Sequence, residues 1–214
     1  MKFKGAIFDL DGTLLDSMGV WERVDREFLA KRGYEVPDDY GITIAPMGFH
    51  GAAEYTIRRF GLAERAEDIL REWNEMARKE YAETVGLKPN AGRYLRYLAG
   101  KGVRLAVATA SHEELFLPAL KHHEILDLFG AIVTVYEVER GKGFPDVYEK
   151  AAERIGLDPG DCVVFEDIYA GVKGARDGGF QVIGVYDAMS AGDEEKIRGL
   201  AGEYITDFAQ LMEN

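Results

Sequence analysis

One short stretch near the start of the chain constrains the fold more than any other. The apolar run Ala6-Ile7-Phe8 stops at Asp9, with Asp11 and Gly12 close behind. The run has the length and composition of a buried β-strand. Carboxylates that follow such a strand lie at the edge where open α/β sheets bind their ligands. The stretch therefore predicts an α/β sheet with a polar site at the carboxyl end of its first strand.

The two carboxylates predict a bound cation. Gly12 lets the backbone turn, so Asp9 and Asp11 reach one small volume from different directions. Negative charges this close repel unless a cation or a proton lies between them, and Mg²⁺ prefers oxygen ligands of this kind. An EF-hand loop is excluded, because it needs Gly at its sixth position and Glu at its twelfth. An ordinary surface turn is the alternative, since Asp and Gly are common turn residues.

Length, charge and cysteine content limit the possible partners. The chain has 214 residues, of which 47% are hydrophobic, and its formal net charge is −12. This length suits one large domain or a domain with a smaller insert, and the negative charge disfavours nucleic acids and anionic membranes as partners. Cys162 has no second cysteine to pair with, no run is long enough to span a membrane, and the chain opens without an apolar signal region. We therefore expect a cytoplasmic protein.

Helical periodicity replaces the strand pattern after Ser17. Apolar residues recur at helical spacing over 18–32, 49–60 and 66–84, and no strand pattern appears before Gly86. A purely helical block of this size is too long for an ordinary connection between two elements. It predicts an inserted helical subdomain.

Alternating strands and helices resume after the insert. Strands are predicted over 103–108, 131–135, 162–165, 181–185 and, at an edge, 203–205. Alternation of this kind implies a parallel sheet, and strands that are nearly all apolar fit burial on both faces. The fold class is therefore α/β, with a parallel-sheet core at 1–15 and 87–214 and an all-helical insert at 16–86.

Polar residues fall at or just after the ends of the predicted strands. They are Asp9, Asp11, Thr109, Lys142, Glu166 and Asp167. Because the carboxyl ends of parallel strands lie along one edge of the sheet, these side chains are expected to converge. The set supplies a carboxylate nucleophile, further acids, a hydroxyl group and a cation, which suits phosphoryl transfer through an aspartyl-phosphate.

Each of these groups receives a role from its chemistry. Asp9 attacks phosphorus, and Asp11 protonates the leaving oxygen and then takes a proton from the attacking water. Mg²⁺ is expected to be held by Asp9, Asp167 and a backbone carbonyl near Asp11. The carboxylates of Asp11 and Glu166 are further candidate ligands.

The phosphoryl oxygens need separate donors. Thr109, Lys142 and backbone N–H groups near Gly12 and Ala110 are predicted to hold them. Taken singly, Thr109 could equally cap a helix and Lys142 could be an exposed loop lysine. Glu166 and Asp167 could be the solvated start of a helix, where acids suit the dipole. The order and placement of all the groups together favour the functional interpretation.

Four segments resemble the signatures of the haloacid dehalogenase superfamily of phosphotransferases. In chain order they are Asp9-Leu10-Asp11-Gly12-Thr13, Val107-Ala108-Thr109-Ala110-Ser111, Lys142-Gly143-Phe144-Pro145-Asp146 and Glu166-Asp167-Ile168-Tyr169-Ala170-Gly171. The resemblance implies a Rossmann-like core and magnesium dependence. It also implies that the helical insert is the cap of the β-phosphoglucomutase-like and phosphatase branch. Dehalogenases of this superfamily lack the second aspartate, so Asp11 favours hydrolysis of a phosphate ester.

Two departures from the family pattern bear on function. The third signature usually has Pro after its lysine, whereas Gly143 follows Lys142 here and leaves it on a more flexible loop. Mutases of this branch resemble one another in a cap His, about where Trp21 falls, and in a cap Arg, where this chain reads Gly48-Phe49-His50-Gly51. A mutase must rebind a bisphosphate intermediate, so the missing Arg favours a phosphatase.

The cap is expected to select the substrate by closing over the site. Its candidate lining residues are Ser17, Trp21, Phe49 and His50. Arg58 and Arg59 are possible replacements for the missing cap Arg, although solvated helix positions suit them better.

The sequence thus predicts a Mg²⁺-dependent phosphatase acting on a small phosphorylated metabolite, such as a sugar phosphate. A β-phosphoglucomutase-like sugar-phosphate mutase is the first alternative. A receiver-like signalling module, which also gathers aspartates, a Thr and a Lys at strand ends, is the second. The helical insert and Asp11 argue against that module, because a protein that stays phosphorylated gains nothing from a water-activating acid/base.

Overall fold

The chain folds into two compact units. The computed structural model describes residues 3–44 and 47–212. The core unit runs up to Met18 and resumes at Val85, and the helical unit is Gly19–Thr84. A single excursion of the chain out of the core unit therefore forms the helical unit.

The two segments that connect the units pair with each other inside the core unit. The Asp16 N–H donates to the Gly86 carbonyl oxygen (2.9 Å), and the Lys88 N–H donates to the Leu14 carbonyl oxygen (2.9 Å). The helical unit accordingly begins and ends slightly inside the predicted insert, 16–86. Residues 1–2, 45–46 and 213–214 of the predicted domains lie outside the described residues.

The core unit is built on a parallel sheet, as predicted. Its strands are β1 (Gly5–Phe8), β2 (Arg104–Thr109), β3 (Phe129–Thr134), β4 (Cys162–Glu166), β5 (Gln181–Val185) and β6 (Glu203–Ile205). Among the described residues they form a six-stranded sheet in the order β3-β2-β1-β4-β5-β6, and every adjacent pair is parallel. The strand order reverses next to β1, and such a reversal is where open α/β sheets bind ligands.

Helices account for most of the remaining chain. The helical unit contains α1 (Val20–Ala30), α2 (Tyr40–Ile44), α3 (Gly48–Phe60) and α4 (Ala66–Glu83). The core unit contains α5 (Ala91–Gly100), α6 (Glu113–His122), α7 (Asp146–Arg154), α8 (Tyr169–Asp177) and α9 (Glu194–Leu200). No helix in the described part of the chain is both long and apolar enough to span a membrane.

Alternate residues of β1 and β4 enter two different apolar clusters. Ile7 and Val164 pack with residues of α7 and α8 on one face of the sheet. On the other face Phe8 stacks on Phe165 at 4.4 Å between ring centroids, and Tyr94 of α5 meets Phe165 at 5.8 Å. Burial on both faces explains why these strands are apolar throughout.

The helical unit has an apolar core of its own. Phe28 of α1 packs edge-on against Trp73 of α4, with 5.4 Å between ring centroids. Tyr40 is buried, and its hydroxyl lies 2.7 Å from that of Thr56. Tyr40 begins α2, which was not predicted because a helix of five residues is too short to show a helical period.

Candidate active site

The predicted nucleophile, Asp9, directly follows the central strand. Phe8, the last residue of β1, lies opposite Val107 of β2 on one side and Phe165 of β4 on the other. The Asp9 N–H continues the ladder by donating to the Phe165 carbonyl oxygen at 3.0 Å. This register places Asp9 between the end of β2, which carries Thr109, and the end of β4, which carries Glu166.

Lys142 is buried between two carboxylates. Its Nζ forms an ion pair with Asp9 Oδ1 and donates to Glu166 Oε1 at 2.6 Å. The Tyr148 hydroxyl, from α7, also donates to Glu166 Oε1, at 2.8 Å. Burial lowers the pKa of Lys142, but attraction to Asp9 and Glu166 outweighs it and raises that pKa above its ordinary value. Lys142 therefore stays charged and is not the exposed loop lysine of the simpler interpretation.

Asp167 is held by the turn that follows β1. Thr13 Oγ1 donates to Asp167 Oδ1 at 2.8 Å, and both residues are buried. Gly12 has a φ of 83° and lies so close that a Cβ atom there would be 2.8 Å from Asp167 Cγ. Only glycine combines this backbone conformation with this approach, so the turn and Asp167 fit each other closely.

Three carboxylates can hold a metal ion. Asp9, Glu166 and Asp167 each offer an oxygen atom, and these atoms lie within 4.8 Å of one another. Burial, together with repulsion from Glu166, raises the pKa of Asp9 well above its ordinary value and that of Asp167 to about 7. Because the donors are all oxygen and their negative charges oppose one another, the cluster suits a hard divalent cation.

Glu166 has less freedom to bind a metal than the other two acids. Its Oε1 accepts from both Lys142 and Tyr148, and its Oε2 lies 3.4 Å from the Ile168 N–H, which donates to it. Asp9 and Asp167 are therefore the carboxylates best placed to bind an ion, and Glu166 orients the lysine.

The Asp11 carboxylate lies outside that cluster. It accepts a hydrogen bond from the Ser17 hydroxyl (2.6 Å). Ser17 is buried and belongs to the core unit, whereas the sequence assigned it to the cap. Asp11 was predicted among the metal ligands, but the group of acids close enough to share an ion comprises Asp9, Glu166 and Asp167.

The end of β2 forms a tight turn around Thr109. The buried Thr109 hydroxyl accepts from the Ser111 N–H at 3.0 Å. The next carbonyl, that of Ala110, accepts from the Tyr136 hydroxyl at 3.3 Å, and the Tyr136 ring stacks on His112 at 4.6 Å. These contacts fix the backbone of the second signature next to β1.

The remaining predicted substrate residues lie in the helical unit. Trp21 and Phe49 contact each other edge-on, with 4.9 Å between ring centroids, and half of the Phe49 surface is exposed. His50 is also exposed and lies 3.5 Å from Glu54. The structure brings the two aromatic residues together and leaves His50 at the surface of the unit.

Comparison with known proteins identifies the family. The family model for haloacid dehalogenase-like hydrolases matches residues 3–179. The chain belongs to the haloacid dehalogenase-like hydrolases. The predicted superfamily is thereby confirmed, and the protein is a hydrolase whose relatives include phosphatases.

Relatives of this haloacid dehalogenase-like hydrolase cover most of the chain. Hexitol phosphatase A of Escherichia coli is 35% identical over 190 residues, which are 86% of this chain and 84% of that protein. Mitochondrial (DL)-glycerol-3-phosphatase 1 of Arabidopsis thaliana is 34% identical over 192 residues, which are 85% of this chain but only 63% of that relative. The crystal structure of CbbY from Rhodobacter sphaeroides, in complex with phosphate, shares the fold with a TM-score of 0.76 and 23% identity, over 98% of this chain and 96% of its own.

Two residues of this hydrolase's site were missed as contributors. Thr13 closes the first signature, and its spacing from Asp9 offered a signal, but its bond to Asp167 joins positions 154 residues apart. Tyr148 gave no signal, because on α7 it occupies the apolar face and resembles any core aromatic.

Proposed function

We propose that this hydrolase is a Mg²⁺-dependent phosphatase that hydrolyses a small phosphorylated metabolite, such as a sugar phosphate, through an aspartyl-phosphate on Asp9. The observation that carries the proposal is the buried lysine and its acidic neighbours. Lys142 Nζ lies against Asp9 and Glu166, and Asp9 shares the metal-competent cluster with Asp167. A phosphoryl group at Asp9 would meet positive charge on both sides.

Asp9 is the proposed nucleophile. The ion pair with Lys142 favours its ionised, attacking form despite its burial. One of its carboxylate oxygens bonds to phosphorus as the bond between phosphorus and the leaving oxygen breaks. Water then attacks the same phosphorus, the bond between phosphorus and Asp9 breaks, and the carboxylate is regenerated with release of inorganic phosphate.

Asp11 is the proposed acid and base. Its position two residues after Asp9 and its hydrogen bond from the Ser17 hydroxyl keep it close to the nucleophile. In its protonated form it gives a proton to the leaving oxygen, and as a carboxylate it then accepts a proton from the attacking water.

Asp9 and Asp167 are the proposed metal-binding side chains, with Thr13 holding Asp167 in place. When bound, Mg²⁺ supplies positive charge that offsets the charges of the carboxylate and the phosphate. Lys142 donates to the phosphoryl oxygens from the other side. Thr109 and the backbone N–H groups near Gly12 and Ala110 complete the set of donors.

The relatives support a small polar substrate. Their printed names include a hexitol phosphatase and a glycerol-3-phosphatase, and we propose that this chain acts on the same chemical class, phosphate esters of sugars and polyols. The helical unit is the proposed selector of the leaving group, with Trp21 and Phe49 as its apolar contacts.

The mutase alternative is disfavoured by the arginines of the helical unit. A second phosphate contact needs a free cation, yet Arg59 forms two hydrogen bonds with the Asp39 carboxylate, at 2.8 and 2.9 Å. Arg58 is exposed and lies 3.7 Å from Glu54. Both arginines thus have acidic partners within their own unit.

The test is phosphate release from a panel of phosphorylated sugars and polyols, with Mg²⁺ and with chelator. The parent is compared with Asp9→Asn and with Asp161→Asn, the same substitution just before the amino end of β4. We expect Mg²⁺-dependent release from the parent and Asp161→Asn, and a loss of at least about 10⁴-fold in Asp9→Asn. Because burial raises the pKa of Asp9, we expect the Asp9→Asn protein to melt at the parent temperature or above.

Other results would change the assignment. Unfolding of Asp9→Asn would show that Asp9 has a structural role and would overturn its assignment as the nucleophile. Interconversion of sugar-phosphate isomers, activated by a bisphosphate, would identify a mutase. A long-lived phosphate on Asp9 without turnover would identify a signalling module.

A further inference from the structure

We propose that Gly174 positions Lys142, by allowing the backbone of the lysine loop to lie directly against helix α8. The loop is residues 141–145, which join the turn after β3 to helix α7. The inference rests on the proposed function, in which Lys142 binds the phosphoryl group. Gly174 itself touches no reacting atom, so it acts only through the lysine.

The contact at Gly174 leaves no room for a side chain. A Cβ atom at this position would overlap the carbonyl oxygen of Lys142. It would also lie 2.8 Å from the Phe144 carbonyl oxygen and 2.9 Å from the Phe144 nitrogen. All three neighbours are backbone atoms, so no rotation of a side chain could relieve the overlap, and the loop itself would have to move.

Gly174 is the middle of three glycines on one face of α8 and its end. A Cβ atom at Gly171 would lie 2.6 Å from both carboxylate oxygens of Glu166, and one at Gly178 would lie 2.6 Å from Pro145 Cβ. Positions three and seven residues apart share a helix face. This glycine face therefore receives Glu166 at one end and the lysine loop along the rest, and Glu166 is itself a partner of Lys142.

The loop depends on this contact because its own sequence is permissive. Gly143 follows the lysine, and a Cβ atom there would meet nothing within 4 Å. Inside the loop, the Phe144 N–H donates to the Gly141 carbonyl oxygen at 3.0 Å. Close packing against α8 supplies the restraint that a proline after the lysine would otherwise give.

The consequence falls on the lysine's amino group. Moving the Lys142 carbonyl away from α8 moves the Cα of the same residue, and with it Nζ between Asp9 and Glu166. A displacement of about 1 Å in a positioning group costs up to about 100-fold in rate. Substrate contacts made in the helical unit would be unaffected.

The experiment compares Gly174→Ala with Gly199→Ala. Gly199 also lies in a helix, α9, but a Cβ atom there meets nothing within 4 Å. We expect Gly174→Ala to lower kcat by about 10- to 100-fold with little change in KM, and to weaken inhibition by inorganic phosphate. Gly199→Ala should match the parent in both. Rates are measured well below the melting temperature of each variant and per folded protein.

A second measurement does not depend on activity. Amide hydrogen exchange is followed in peptides covering 141–145 and, as an internal control, β3. We expect Gly174→Ala to accelerate exchange in the loop only, and Gly199→Ala to leave it unchanged. Should Gly174→Ala fail to fold, Gly178→Ala displaces the same loop at its Pro145 end and carries the same expectations.

Parent-like exchange in the loop of Gly174→Ala, or a parent-like kcat, overturns the positioning role. A uniform rise in exchange over the whole core unit also overturns it, because it would show a general packing defect. If the parent releases no phosphate from any substrate, the proposed function fails. The exchange experiment then still decides whether α8 holds the loop.

Discussion

The arginine-paired acids of the helical unit and the buried acids at the carboxyl edge of the core sheet lie in opposite electrostatic environments. In the helical unit Asp39 accepts two hydrogen bonds from Arg59, and Glu64 accepts one from Arg32, and these bonds lower the pKa of both acids. At the carboxyl edge of the core sheet, burial raises the pKa of Asp9 and of Asp167. The same residue types thus form ion pairs with arginines at Asp39 and Glu64, and repel one another at Asp9 and Asp167.

The direction of the pKa shift distinguishes acids paired at the surface from acids clustered at the candidate site. A surface pair neutralises itself locally and contributes little to stability. A buried cluster with more acid than base persists only because the surrounding fold holds it, and strongly shifted groups of this kind concentrate at active sites. The core cluster has Lys142 as a cation, and its acids Asp9, Glu166 and Asp167 outnumber it.

Of the changes considered, Lys142→Met should have the largest effect on both stability and activity. Removing the cation leaves Asp9 and Glu166 buried without it, and breaking a buried ion pair typically costs about 3–5 kcal/mol. Loss of a donor to the transition state should lower kcat by at least about 100-fold. Urea unfolding and phosphate-release assays measure the two effects. A fully stable, fully active variant would show that the cluster does not depend on its lysine.

Adding Mg²⁺ should relieve the repulsion in the core. At a hundredfold excess over the dissociation constant, a bound ligand adds about 2.7 kcal/mol to the free energy of unfolding. Because Asp167 has a pKa of about 7 without metal, it must lose a proton to bind below that pH. We therefore expect a larger rise in Tm with Mg²⁺ at pH 8 than at pH 6. Asp167→Asn is the control. An equal rise in the Tm of that variant would show that Mg²⁺ binds at another site.

Asp25→Asn tests the exception in the helical unit. Burial, with repulsion from Glu22, raises the pKa of Asp25 from 3.8 to about 6. As pH rises from about 4 to about 6, Asp25 loses its proton in the unfolded chain before it does so in the folded protein. The free energy of unfolding that the protonated carboxyl contributes is therefore fully present below pH about 4 and is lost as pH rises through about 6. The variant should melt above the parent at pH 7, with a smaller gain at pH 5. A gain independent of pH would assign the effect to packing.

Arg59→Met should have the smallest effect. The guanidinium serves the exposed Asp39 and the Tyr55 hydroxyl, which lies 2.7 Å away. We expect Arg59→Met to lower Tm, but by less than Lys142→Met does. Its kcat and KM should equal those of the parent within assay error. A marked rise in KM for a sugar phosphate would instead make Arg59 a phosphate contact and favour the mutase.

Most of the fold was readable because strands and helices here carry strong patterns. The strand at Gln181–Val185 was predicted to the residue, and the edge strand Glu203–Ile205 was also found. Apolar runs ending in acids predicted both the sheet and the edge at which its charges gather. The helix Tyr40–Ile44 escaped, since five residues do not display a period.

The residues of the candidate site could be predicted from the sequence, but the hydrogen bonds between them could not. Asp9, Lys142, Glu166 and Asp167 were chosen from strand ends, and the structure brings them together. That Glu166 accepts a hydrogen bond from Lys142 could not be foreseen, because strand order and side-chain direction decide it. The hydrogen bond to Glu166 from Tyr148 is likewise set by packing of α7 on the sheet.

The central place of β1 ties assembly of the site to completion of the fold. Its residues Gly5–Phe8 pair with Arg104–Val107 on one side and Cys162–Phe165 on the other. β1 therefore cannot complete its pairing until β2, about half a chain later, and β4, about three-quarters of a chain later, are present. Such distant pairings close large loops and slow folding. A nascent or truncated chain that ends before β4 lacks Glu166 and Asp167, so it cannot assemble the candidate site.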